Sequence, residues 1–198
     1  MRILILLLGS LLLAACASPA YRNGSQPVAL FDLGPVAAPE GQAVRPWRFS
    51  VSAGGGLEEV AMRYRLAYAD PARVMEYAQS RWVGGPAELL QRRLESRLHW
   101  TGAEAADACE LYLELRRFEQ VFGNPGASTG VLGVRAQLRR KTGAVVDEVL
   151  WTLEEAAPTP DAAGGVQALA SAADRLAGML QNWRKAGATG GGRQGCRE

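Results

Sequence analysis

Val131-Leu132-Gly133-Val134-Arg135-Ala136-Gln137-Leu138-Arg139, the turn Lys141-Thr142-Gly143, and the segment from Val145 to Leu153 decide the fold. Leu132, Val134, Ala136 and Leu138 fall at every second position, which is the period of a strand with one buried face. The two segments close into an antiparallel hairpin. Upstream, Cys109 to Phe118 or beyond alternates in the same way, with Leu111, Leu113 and Leu115 inward. The apolar parity then moves to Phe118 and Phe122, which predicts a bulge. Downstream, Pro158-Thr159-Pro160 ends the pairing, and Asp161 caps a long helix running to about Lys185. Val166, Leu169, Ala173, Leu176, Leu180 and Trp183 recur at three- and four-residue intervals and form one core-facing stripe on that helix.

The N-terminal half reads more weakly. Val28 to Leu33 is a strand stopped by Gly34-Pro35, and a Pro/Ala/Gly loop leads to a second strand, Trp47 to Ser52. Gly54-Gly55-Gly56 breaks the chain. From Val60 to Tyr68 the alternation returns, with Met62, Tyr64, Leu66 and Tyr68 on one side and Arg63 and Arg65 on the other. Asp70-Pro71 turns the chain into a short strand, Val74 to Gln79. Pro86 opens a helix to about Leu98, since proline at the first helical position loses no hydrogen bond. Leu90, Leu94 and Leu98 stack on its buried face, and Glu88, Arg92 and Glu95 face water. No internal repeat is present. The expected fold class is α/β: a single domain with a mixed, mostly antiparallel sheet of about five or six strands and two amphipathic helices packed on it.

The first residues carry a different message. Arg2 is followed by the apolar runs Ile3 to Leu8 and Leu11 to Leu13, then Ala14-Ala15-Cys16. This is the pattern of an export signal, and it is short of the about 20 residues that a membrane-crossing helix requires. Leu13-Ala14-Ala15-Cys16 resembles the lipobox of bacterial lipoproteins. That resemblance implies cleavage before Cys16, a diacylglycerol on its thiol and an acyl chain on the new amine; no other cofactor is expected. Several acyl chains make a firm anchor, because each buried methylene contributes about 0.8 kcal/mol. Ala17 and Ser18 follow; by resemblance to the sorting of such lipoproteins, the absence of Asp at position 17 implies the periplasmic face of the outer membrane over the inner membrane. The expected organisation is a signal peptide over 1–15, a lipidated tether over 16–27, a domain over 28–186, and a disordered Gly-rich tail over 187–198.

The 22 basic and 20 acidic side chains nearly cancel, leaving a formal net charge of +2, so nucleic acid is not an expected partner. Of the three cysteines, Cys109 and Cys196 remain once Cys16 is acylated, and both a disulfide between them and two free thiols stay open.

No catalytic or metal-binding constellation emerges, and an enzyme is not expected. Gly126-Ala127-Ser128-Thr129-Gly130 matches the G-x-S-x-G pattern of hydrolase nucleophile elbows, but a strand follows it where the elbow needs a helix. The single histidine, His99, lies upstream and lacks converging zinc ligands. Gly54-Gly55-Gly56 lacks the lysine and the helix of a phosphate loop. Among the five tryptophans, Trp151 and Trp183 sit on core faces. Trp82 follows Ser80-Arg81 before Gly84-Gly85-Pro86, where packing alone does not demand it. It is balanced between a core plug and an interface anchor, and Arg81 and Trp82 are the candidate partner-binding residues.

Several runs resemble the ABC-type transport auxiliary lipoproteins, a family that includes the PqiC-like lipoproteins. They are Met62-Arg63-Tyr64-Arg65, Val74-Met75-Glu76-Tyr77-Ala78-Gln79-Ser80-Arg81-Trp82, Pro86-Ala87-Glu88-Leu89-Leu90, Leu113 to Phe122, and Pro158 to Gly165. Ala29-Leu30-Phe31-Asp32-Leu33 and the lipobox also fit, so the resemblance covers nearly all of residues 16–186. It implies a non-catalytic component of an envelope lipid transport system, docking to a periplasmic MCE-domain protein that works with an ABC permease and ATPase. It also implies a homo-oligomer. A stand-alone lipid-binding carrier is the alternative.

Overall fold

The computed structural model describes residues 27–35, 49–98, 109–140 and 142–189. Its axis is β5 (Cys109–Asn124), which pairs antiparallel with β6 (Ala127–Arg140), which in turn pairs antiparallel with β7 (Val145–Ala156). The expected bulge is present as a register shift between Leu115 and Arg117. There the inward set passes from Leu111, Leu113 and Leu115 to Phe118 and Phe122 without a strand break.

β5 is long enough for two strands to share its other edge. β2 (Phe49–Ala53) runs parallel beside Leu111 to Leu115, and β3 (Ala61–Leu66) runs parallel beside Gln120 to Phe122. β4 (Met75–Trp82) returns antiparallel to β3, and β1 (Ala29–Phe31) lies parallel to the end of β4. The sheet therefore has seven strands, beyond the five or six expected. The short β1 and β2, both read as strands in the sequence, join the sheet through long-range parallel pairing. By residues paired, the sheet is mostly antiparallel.

Helices α1 (Pro86–Arg97) and α2 (Ala162–Thr189) pack against each other on one face of this sheet, α1 over β2 and α2 over β5, β6 and β7. Leu90 and Leu94 from α1 and Leu169, Leu176 and Leu180 from α2 meet Leu113, Leu115, Leu132, Val134 and Leu153 from the sheet, all at most 2% exposed. α2 continues to Thr189, so residues 187–189, expected in the tail, are helical. Ala186 and Ala188, strong helix formers, extend its last turn.

The start of α2 is pressed onto the sheet. Asp161 accepts a hydrogen bond from the Gly164 amide (2.8 Å) and one from the Thr159 hydroxyl (2.8 Å), as an N-cap should. Both bonds stabilise the carboxylate and hold its pKa below the ordinary aspartate value, the amide of Gly164 contributing most. Beneath this turn, Gln120 is 2% exposed, donates through Nε2 to Ser128 Oγ (2.7 Å) and accepts from Tyr77 Oη (2.8 Å). A Cβ on Gly165 would lie 2.2 Å from Gln120 Oε1, and one on Gly130 would lie 2.8 Å from Ala168 Cβ and from the Leu169 nitrogen. The helix can come this close only because both positions lack side chains.

Gly165→Ala should therefore lower stability by about 2 kcal/mol, where glycine to alanine inside a helix ordinarily adds up to about 1 kcal/mol. Urea denaturation at neutral pH reads the difference; a more stable variant would contradict the close approach. Burial, aided by the nearby Tyr64 and Asp161, pushes the Tyr77 phenol from 10.0 up to about 12. The folded state holds this proton more tightly than the unfolded chain does. The contribution is thus complete below pH 10 and is lost as pH rises toward 12. The stability of the wild type should fall across that window relative to Tyr77→Phe, followed by denaturation midpoints at stepped pH.

Candidate functional site

Of the two residues proposed to face a partner, the structure removes one from the surface. Trp82 ends β4 and is 2% exposed, its ring packed on Phe118 with centroids 5.2 Å apart. It is a core plug and not an interface anchor. The reason is a register irregularity between β3 and β4, opposite Ala61 and Arg63, which turns Trp82 toward the helices. Its indole Nε1 has no hydrogen-bond partner among the described residues. Arg81, next to it, keeps partial exposure and donates to the carbonyls of Tyr77 and Ser80 (2.9 Å for the latter). It pairs in register with Leu30 of β1.

Arg93 escaped the sequence reading. It is 8% exposed on the inner side of α1, and its Nε and Nη2 donate to the two carboxylate oxygens of Asp174 on α2 (2.9 and 2.8 Å). Its Nη1 donates to the carbonyl of Leu33, just after β1. Arg97, one turn on, donates to the same carboxylate at 3.1 and 2.9 Å. Planar guanidinium groups suit this bidentate arrangement, and a buried arginine without it would be costly. One carboxylate thus joins both helices, and Arg93 ties the end of β1 to them. A signal existed: Arg93 and Leu94 repeat the positions of Leu89 and Leu90 one turn earlier, so an arginine interrupts an apolar stripe.

This clamp borders two hollows in the described surface. An open groove of about 380 Å³ lies between β1 and the start of α2, lined by Leu30, Phe31, Asp32, Val83, Ala163 and Val166. A smaller hollow of about 140 Å³ lies between Asp32 to Gly34 and Leu89, Arg92 and Arg93. Leu30, Val28 and Val83 are 65%, 50% and 49% exposed. Three exposed aliphatic side chains thus lie together at this edge.

The face of the sheet opposite the helices is polar and largely self-satisfied. Glu119, 6% exposed, accepts from Arg65 (3.1 Å) and Arg117 (2.7 Å). The Arg139 guanidinium lies 3.9 Å from the centre of the Tyr112 ring, whose hydroxyl is 2.6 Å from Ser52 Oγ. Arg135 sits between Glu114 and Glu148 at 3.9 and 3.6 Å. Alternating signs on adjacent strands hold this face together through cross-strand pairs.

Ser128 lies inside β6, 6% exposed, its hydroxyl engaged by Gln120. It is a strand residue under a helix, and the chain continues as β6 where an elbow would start a helix. Among the described residues, no cluster of three or more His, Cys, Asp or Glu could hold a metal. Cys109 is disulfide-bonded, and its partner lies outside the described residues. Cys16, Cys196 and His99 also lie outside them.

No protein-family model matches this chain, and no curated protein matches it. Solved structures do. One is a Xanthomonas campestris protein of the DUF330 family model, with a TM-score of 0.60 at 16% identity, covering 78% of this chain and 94% of its own. Another is an uncharacterized protein, with a TM-score of 0.61 at 12% identity, covering 80% of this chain and 99% of its own. At these identities the likeness establishes a shared fold, which extends over nearly the full length of both neighbours.

Proposed function

We propose that this chain is a lipoprotein anchored through Cys16 to the periplasmic face of the outer membrane, serving as a non-catalytic docking component of an MCE-type ABC envelope transport system. The observation that carries the reading is Leu13-Ala14-Ala15-Cys16 at the end of a short apolar run. Only a thiol accepts the diacylglycerol, and the cleaving protease requires small residues before it.

Other observations support the same reading. No described helix is long and apolar enough to cross a membrane. The disulfide on Cys109 suits an oxidising compartment such as the periplasm. The space between helices and sheet is filled by leucines at 0–2% exposure, and the hollows named above lie at the surface. Such an interior favours a docking module over a stand-alone lipid carrier. The MCE partner rests on the family resemblance of the runs quoted above.

Intact-mass analysis of the mature protein tests the anchor. The expected species begins at Cys16 and carries a diacylglycerol and an N-acyl chain; a mature protein with an unmodified Cys16 thiol would overturn the reading. Cys16→Ala should move the protein from the membrane to the soluble fraction. Chemical crosslinking in envelopes should capture an MCE-domain protein, and repeated capture of unrelated partners alone would remove the docking role.

A further inference from the structure

The two edges of the sheet differ in a way that the core does not require. At one edge, β7 exposes Val145 and Leu150 but sets Asp147, Glu148, Glu154 and Glu155 among them. Charges on an edge strand discourage further pairing and keep it in water. At the other edge, β1 exposes Leu30 at 65%, the most exposed large apolar side chain among the described residues, together with Val28. Val83 lies alongside, its amide donating to the Phe31 carbonyl (2.9 Å). Asp32 is the sole acidic residue lining the adjoining groove, and Asp32 Oδ1 accepts from the Gly34 amide (2.7 Å). Arg81, in register with Leu30, lies on the same side of the sheet.

The occupant follows from where the chain goes. Val28 is twelve residues after Cys16. At about 3.5 Å per extended residue the intervening chain spans no more than about 40 Å. Of the described surface, this edge is covalently nearest the anchor. A protein held by lipid at this end meets its own bilayer at effectively high local concentration, and an aliphatic patch beside an arginine has the composition of an interfacial contact: apolar groups in the acyl boundary, a cation at the phosphates.

We propose that Val28, Leu30 and Val83 form a second, non-covalent contact with the phospholipid surface, laying the β1 edge on the membrane and turning the acidic β7 edge away from it. This rests on the anchoring proposed above. The contact is too small to hold the protein alone; its effect is to orient a domain already tethered.

The test uses the full-length lipidated protein, purified from membranes and reconstituted into phosphatidylethanolamine–phosphatidylglycerol vesicles. A photo-crosslinking amino acid replaces Leu30 in one sample and the similarly exposed Leu150 in another. Residue 30 should give on the order of tenfold more phospholipid adduct than residue 150. The double variant Leu30→Asp, Val83→Asp should stay in the vesicle fraction through its acyl chains, while lipid adduct from a probe at Val28 falls to the level at residue 150. Equal, low lipid adduct at 30 and 150 in a vesicle-bound protein, or adducts at 30 to protein alone, would overturn the inference and leave the anchor intact. A protein that fails to partition into vesicles at all would overturn both.

Discussion

The contact between the first turn of α2 and the sheet sets the dimensions of the domain. Gly165 lies over Gln120 and Gly130 lies under Ala168, each at a separation that a single methyl group would violate. Because the helix is seated this low at its start, Leu169, Leu176 and Leu180 reach the leucines of β5 and β6 without a gap. Protein interiors tolerate little change in volume, so lifting this turn would loosen the whole stripe. Gln120, buried by the same contact, needs partners for its amide, and Tyr77 and Ser128 supply them. Close packing and polar satisfaction at this point are one constraint.

The second junction is ionic. Asp174 receives both Arg93 and Arg97, so the two helices are locked at their mutual face, and Arg93 extends the lock to the chain after β1. An apolar pair of similar volume would hold the helices equally well by area. The arginine does something else: it reaches a backbone carbonyl outside both helices, which a leucine cannot. β1 is only three residues long, and the loop end beside it is held by this bond as well as by its pairing to β4. The groove and the aliphatic edge owe their position to it.

The polar face of the sheet bears on how such a module works. Its charges are paired within and across strands, and Glu119, the one deeply buried carboxylate among the described residues, is bracketed by Arg65 from the neighbouring strand and Arg117 from its own. A face of this kind is soluble without a cover. The aliphatic β1 edge is the contrasting surface, and the two together give the domain a polarity with respect to whatever lies beside its N-terminal end.

Read alone, the chain determined whatever depends on neighbours close in sequence. Alternation marked β5, β6 and β7; the parity shift before Phe118 marked the bulge; the three-four spacing from Val166 to Trp183 marked the stripe of α2; Asp161 marked its cap. Each is a local rule of period or capping and holds wherever the segment is placed. What only the tertiary structure decided depends on contacts between segments far apart. The partners of β1 and β2 lie some fifty and sixty residues away, and nothing in three or five residues names them. The inward turn of Trp82 arises from an irregular pairing of β3 with β4, and the burial of Arg93 arises from a carboxylate on a helix eighty-one residues later. A side chain's face on its own element is set by backbone geometry, but whether that face meets protein or water is set by what the rest of the fold brings to it.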